Sequence, residues 1–388
     1  MDYIKREISG KVNELAQKFP VIAMTGPRQS GKTTLAKRTF PDYKYVSLED
    51  RDNREFAETD PRTFLSQYKN GSIIDEIQKC PDLLSYIQTH TDKTNIPGEF
   101  IITGSENLLL AQNISQTLAG RAAYVKLLPF SINELKNKRN YESYEEYIFN
   151  GFYPRIHDLG INPVDWYPNY INTYIEKDVR QIKNIDKLNV FEKFLKICSA
   201  YCGQTLNYSA IANDCGITHN TVSSWIGILE ASYLVYLLKP HHKNFNKRII
   251  KMPKLYFYDV GLVCSLLGIE SVSGLNNYYH KGALFENLIV SELLKKRFNA
   301  GKSDNLFFWR DKTGHEIDIV IDNGISIIPV EIKSSRTVNA EFFKNLGYYC
   351  DLSGIDRKDS VVVYGGDQNQ NRSLGRVIGF KSAEELIK

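Results

Sequence analysis

No stretch of the chain approaches the roughly 18 uninterrupted apolar residues that a membrane-spanning helix requires. The opening segment MDYIKREISGKVNELAQKF is charged throughout and lacks the apolar region of a secretory leader. Cysteine is sparse: six in 388 residues, at positions 80, 198, 202, 215, 264 and 350, without paired metal-ligand spacing. Cys198 and Cys202 could share a helix face, and two core cysteines is the better reading of them. A reducing cytoplasm is therefore the expected setting, with no membrane partner. Internal repeats and low-complexity segments are missing as well. A large excess of charge of one sign is missing too, since 49 basic and 45 acidic residues leave a formal +4.

What is there is ordinary globular composition, 42% apolar and 24% charged, which excludes a disordered or fibrous chain. At roughly 150 residues per domain, 388 residues imply two or three domains. The positive charge is local. Lys239 to Lys254, KPHHKNFNKRIIKMPK, holds six basic residues and no acid, so the rest of the chain sums to −2.

From about residue 20 to 130, the short apolar runs VIAMT, YKYVSL, SIIDE, EFIITGS and AAYVKLL alternate with amphipathic stretches. Five such runs predict a mostly parallel sheet with helices on both faces. Pro129 breaks the pattern, and a tyrosine-rich helical region follows to about 188. Beyond a helix at Gly282 to Arg297, the strand-like runs LFFWR, EIDIVI, SIIPVEIK and VVVYG predict a separate α/β unit.

Gly26, Pro27, Arg28, Gln29, Ser30, Gly31, Lys32 and Thr33 spell GPRQSGKT, matching G-x-x-x-x-G-K-[S/T] at every fixed position. A β-branched strand feeds this loop and a helix beginning near Thr34 leaves it, so backbone N–H groups can turn inward on phosphates. Lys32 would reach the β- and γ-phosphates of ATP, and the Thr33 hydroxyl would ligate Mg²⁺. The strand end SIIDE supplies the carboxylates: Asp75 to hold Mg²⁺ through water, Glu76 to polarise the attacking water. An extra strand between these motifs points to the ATPase branch that inserts one there. Thr103 and Ser105, ending the strand FIITGS, are candidate γ-phosphate sensors. Arg121, in LAGRAAYV, is a candidate arginine finger, acting in its own subunit or in a neighbour's should the chain form an oligomer.

Leu206 to Leu229, LNYSAIANDCGITHNTVSSWIGIL, has the small, glycine and apolar positions of a helix-turn-helix at Ala212, Gly216 and Val222. Its second helix exposes His219, Asn220, Ser223 and Ser224, without Lys or Arg, and so suits major-groove reading poorly. The basic segment follows directly, where a winged helix places its hairpin. Lys243, Lys247, Arg248 and Lys251 could there hold DNA phosphates; the alternative is a purely interdomain role.

Near the C-terminus, Asp318 lies in GHEIDIV, and Glu331 and Lys333 lie in PVEIK. Period-2 alternation puts Glu331 and Lys333 on one strand face. Two carboxylates converging on one Mg²⁺ or Mn²⁺, with a lysine beside them, could activate water against a phosphodiester. Glu286, in the helix GALFENLIVSELL, is a further candidate ligand.

Taken in order, GPRQSGKT, IIDEIQK, TGS, LAGR, the helix-turn-helix, KLYFYDVGL and the EID…VEIK pair resemble a large bacterial and archaeal family. These are AAA-type ATPases with a C-terminal domain of unknown function, and the resemblance covers nearly the whole chain. It implies an α/β AAA-type P-loop sheet of strand order 5-1-4-3-2, a small helical lid and a winged helix. The family's C-terminal domain is similar to the PD-(D/E)xK nuclease fold, which puts Asp318, Glu331 and Lys333 where that fold keeps its metal and catalytic residues. The expected division is a P-loop ATPase core at 1–130, a helical lid at 131–188, a winged helix at 189–262 and a restriction-endonuclease-like α/β domain at 278–388. The leading expectation is an ATP-hydrolysing protein whose nucleotide state controls a DNA-acting module. The rival is a nucleotide-controlled switch in which an idle C-terminal fold binds a protein partner.

Overall fold

A computed structural model describes residues 3–105, 117–136, 138–139, 141–174, 188–241 and 251–387. The chain divides into two compact units. The first comprises residues 1–130 with 230–234 and 297–303, and the second comprises the rest.

In the first unit, β1 (Val21–Thr25), β2 (Lys44–Ser47), β3 (Ser72–Asp75), β4 (Phe100–Gly104) and β5 (Ala122–Lys126) form one sheet in the order β2-β3-β4-β1-β5. Every pairing in it is parallel. Read from the other edge, this is 5-1-4-3-2, the order the resemblance implies. Because helices cover both faces, both sides of the central strands must be apolar. Val21 and Ala23 accordingly pack into one core layer with Ile74, Phe100 and Ile102. Ile22 and Met24 pack into the other with Leu35, Ile73 and Val125.

The second unit comprises residues 131–229, 235–296 and 304–388, so most of the stretches expected as lid, winged helix and C-terminal domain lie in it. The physical reason is strand pairing. The hairpin strands β6 (Val235–Pro240) and β7 (Lys254–Phe257) are antiparallel, and β6 also pairs in parallel with β8 (Leu306–Arg310). β9 (Glu316–Asp322), β10 (Ile327–Lys333), β11 (Val361–Tyr364), β12 (Gln370–Arg372) and β13 (Gly375–Gly379) complete an eight-stranded sheet, ordered β12-β13-β11-β10-β9-β8-β6-β7.

The helices Tyr208–Cys215 and His219–Ala231 meet at Gly216, whose N–H caps the first. Trp225 from the second packs edge-on against Phe191 and Phe194, at 5.1 and 5.2 Å between ring centroids. His219, Asn220 and Ser223 are exposed and Ser224 is half-buried. Lys243, Lys247 and Arg248 lie outside the described residues; Lys251 is exposed. Lys254 is not part of a solvated basic surface, being only 3% exposed. All six cysteines are free and buried. No helix among the described residues is long and apolar enough to cross a membrane.

Asp259 explains much of the KLYFYDVGL run. Buried at the start of the helix Val260–Leu266, it accepts hydrogen bonds from Leu262 N at 3.0 Å, Phe152 N at 2.7 Å and Tyr167 Oη at 2.6 Å. Gly261 lets the Tyr167 hydroxyl approach: a Cβ there would lie 2.4 Å from it. Beside this cluster, the His157 Nε2–H donates to Gly151 O at 2.9 Å, and burial lowers its pKa to about 4. That lies below the ordinary value of about 6.5, so between the two the unfolded chain binds more protons and acid favours unfolding. His157 thus contributes stability that is full above about pH 6.5 and is lost as pH falls toward about 4. We predict that His157→Gln flattens the acid loss of stability by on the order of 2 kcal/mol between about pH 7 and about pH 4.5, measured by urea unfolding of both proteins.

Candidate functional site

Parallel strands carry their C-terminal ends to one edge, and there the first unit assembles its polar residues. β1 ends at Thr25, and the loop from Gly26 to Gly31 leads into the helix Lys32–Thr39. Gly26 has φ 150, and a Cβ on it would stand 2.1 Å from the Leu127 carbonyl oxygen, so only glycine passes there. Pro27 and Ser30 are buried, Arg28 and Thr33 half-buried, and Gln29 and Thr34 exposed. The Lys32 ammonium, itself buried, donates to the carbonyls of Gly26 and Pro27 at 2.9 Å each. The Ser30 hydroxyl is buried in the loop without a hydrogen-bond partner among the described residues.

Asp75 sits at the centre. Thr33 Oγ1 donates to both its oxygens at 3.0 Å, Tyr45 Oη donates to Oδ2 at 3.0 Å, and Thr103 Oγ1 donates to Oδ1. Three hydroxyls from three elements therefore share one carboxylate. Glu76 follows in the left-handed region at φ 58, rare for a residue with a side chain. Its Oε2 accepts from Gln78 Nε2 and, at 3.4 Å, from Ser105 Oγ; Gln78 also donates to Ser105 Oγ at 3.1 Å. The expected residues Lys32, Thr33, Asp75, Glu76, Thr103 and Ser105 are thus brought together.

Arg121 is not brought to this edge. It directly precedes β5, and its carbonyl accepts from Val21 N at the start of β1. Five residues of β1 separate that end from the loop, about 16 Å of strand. Its guanidinium pairs instead with Asp92 and donates to Ala119 O at 2.9 Å. Its side chain is thus held at the end of the strand opposite the loop.

Two contributors escaped the sequence reading. Tyr45 needs the strand order to be seen, because β2 lies beside β3 only in the folded sheet. Burial, and then the Asp75 charge, push its hydroxyl pKa up to about 12, so it remains a donor. Arg6 is buried, donates to Ser30 O at 2.8 Å and Leu128 O at 2.7 Å, and lies over the Phe130 ring at 4.9 Å. One planar fork ties the phosphate loop to the end of β5, which a lysine could not reproduce.

In the second unit, Asp318 on β9 and Glu331 on β10 are neighbours. Asp318 Oδ2 accepts from Ile332 N at 2.8 Å. Lys333 Nζ stands 2.6 Å from Glu331 Oε1 and 3.9 Å from Asp318 Oδ2. Glu331 is only 4% exposed, and its Oε2 is buried without a partner among the described residues. Burial, and next the Asp318 charge, raise its pKa to about 8. Glu286 stands apart in its bonding: its Oε1 accepts from Lys254 Nζ at 2.9 Å and from Tyr256 Oη. Among the described residues no group of three His, Cys, Asp or Glu side chains is arranged to hold a metal. Asp318 and Glu331 offer hard oxygen donors that fit a divalent cation; Glu286, expected as a third ligand, is already committed.

Arg6→Met should cost roughly 3 kcal/mol by leaving two buried carbonyls without their donors. It should also weaken ATP binding several-fold, measured by thermal unfolding and nucleotide titration.

Residues 18–136 match the family model of an AAA domain. Residues 141–273 and 281–382 match two domains of unknown function, DUF8612 and DUF4143. An uncharacterized protein of Mycobacterium tuberculosis is 26% identical over 338 residues, covering 86% of this chain and 74% of the relative. One from Methanocaldococcus jannaschii is 26% identical over 354 residues, covering 82% and 75%. A Walker-type ATPase of Pyrococcus abyssi is similar at a TM-score of 0.45 and 15% identity, covering 67% of this chain and 94% of that one. AMPPCP-bound DnaA from Aquifex aeolicus is similar at 0.30 and 16%, covering 57% and 85%. Residues 18–136 are accordingly an AAA-type P-loop domain, and the loop of Gly26–Gly31 with Lys32, Thr33, Tyr45, Asp75, Glu76, Thr103 and Ser105 lies within it.

Proposed function

We propose that the chain is a Mg²⁺-dependent ATPase, on the strength of one observation above all: Thr33, Tyr45 and Thr103 converge on Asp75 beside the phosphate loop. A buried carboxylate ringed by hydroxyls is a polar cradle for a hydrated cation. Lys32 would exchange two loop carbonyls for β- and γ-phosphate oxygens, and the orphaned Ser30 hydroxyl has capacity for another. Thr33 and Asp75 would hold Mg²⁺, whose charge, when bound, offsets that of the phosphate oxygens. Glu76 takes the proton of the attacking water, with Gln78 and Ser105 fixing its carboxylate. Water adds to the γ-phosphorus as the bond to the β-phosphate oxygen breaks, leaving ADP and phosphate.

We further propose that nucleotide state governs a second unit that acts on DNA. Exposed Lys239 and Lys251 at the ends of the hairpin strands support a phosphate-binding surface there. At Asp318, Glu331 and Lys333, the unpartnered Glu331 oxygen supports metal-assisted phosphodiester hydrolysis over an idle fold. Mg²⁺ or Mn²⁺ would supply Lewis acidity, with Lys333 placed to stabilise developing negative charge.

Lys32→Ala should abolish ATP binding, read by equilibrium titration. Glu76→Gln should bind ATP normally yet lower turnover by about 10²-fold or more; wild-type turnover in that variant would remove Glu76 from the role. For the second unit, plasmid and linear DNA incubated with Mn²⁺, with and without ATP, should be cut by wild type and not by Asp318→Ala. No cleavage by wild type in any condition would favour the protein-binding switch.

A further inference from the structure

The acidic cluster of the second unit already contains a cation of the chain's own. Lys254 opens β7 and is 3% exposed. Its ammonium lies 2.9 Å from Glu286 Oε1, is also paired with Glu316 Oε1, and sits 5.7 Å from the Phe308 ring centroid. Tyr256, two residues along the same strand and on the same face, donates to the same Glu286 oxygen. Arg310 takes the other oxygen of Glu316 at 3.3 Å. Glu286, Glu316, Asp318 and Glu331 are therefore countered by Lys254, Arg310 and Lys333. A buried carboxylate without a counter-charge is costly, so this arrangement serves the cluster as an ion would.

The counter-charge is uneven. Lys333 attends Glu331 Oε1, whereas Glu331 Oε2 is buried without a partner among the described residues. The cluster thus keeps an unused acceptor at one end and a doubly used one, Glu286 Oε1, at the other.

We propose that Lys254 is a built-in counter-cation that competes with a divalent metal ion for Glu286, so that metal enters the cluster fully only when the ammonium gives up that oxygen. The inference rests on the metal-site reading of Asp318 and Glu331 above. The competition is steric as well as electrostatic. A carboxylate oxygen bound to Mg²⁺ at roughly 2.1 Å has no room left for both an ammonium and a phenol donor.

The opposite role is a positioning one, in which Lys254 and Tyr256 aim Glu286 at the metal; it predicts the opposite sign. The test is calorimetric titration of Mn²⁺ into the full chain as wild type, Lys254→Met, Lys254→Met/Glu316→Gln and Asp318→Ala, with thermal unfolding with and without Mn²⁺. The double variant removes one charge of each sign and so guards against misfolding of the single one. Both Lys254 variants should bind Mn²⁺ at least about tenfold more tightly than wild type and gain a larger Mn²⁺-induced rise in Tm, whereas Asp318→Ala should lose binding. Mn²⁺ binding by wild type that is equal or tighter than in both Lys254 variants would overturn the proposal while leaving the metal site standing. Absence of Mn²⁺ binding in every protein, the Lys254 variants included, would overturn the metal site and this inference together.

Discussion

Parallel strands have a common polarity, and the first unit depends on that constraint. Once β1, β3 and β4 run side by side in the same sense, whatever follows each of them meets at one edge. The loop after β1, the carboxylates ending β3 and the hydroxyls ending β4 need no long-range guidance beyond strand pairing. Asp75 then closes the arrangement, because its buried carboxylate must be satisfied and the nearest donors are Thr33, Tyr45 and Thr103. The same polarity carries Arg121 to the opposite end, where Asp92 pairs with it.

Buried charge organises the second unit in a different way. Among the described residues Asp259 has no cation in direct contact; two backbone N–H groups and a phenol satisfy its oxygens and fix the helix start at Val260 and the loop at Phe152. Glu286 is served by an ammonium and a phenol, and Glu331 by an ammonium on one oxygen alone. Burial works against the Lys254 ammonium, but Glu286, Tyr256, Asp318 and Glu316 outweigh it and hold its pKa well above the ordinary lysine range. Both oxygens of Asp259 accept hydrogen bonds, whereas Glu331 Oε2 is buried without a partner among the described residues.

The hairpin shows how a local reading and a global one diverge. Its basic residues read as one solvated run, and Lys251 is exposed as that reading requires. Lys254, three residues on, turns inward because β7 pairs with β6 and β6 with β8, which puts its side chain over the sheet that carries Glu316. All four residues of β7 are buried, so entry into the paired strand decides between solvent and core, and no composition count resolves that.

What the sequence by itself determined is everything carried by short-range geometry. Glycines at fixed offsets from Lys32 and Thr33, a β-branched run before them and a carboxylate pair ending a later run define a phosphate loop, because few backbones satisfy those requirements. The placing of Glu331 and Lys333 on one strand likewise follows from spacing alone. Only the tertiary structure decided which distant groups share a carboxylate: Tyr45 with Asp75, Arg6 with the loop carbonyl of Ser30, Lys254 with Glu286. It also decided that hairpin and C-terminal strands form one sheet. The physical reason is that a buried polar group takes its partner from whichever element packs against it. That choice is set by strand order and register, which join residues far apart along the chain.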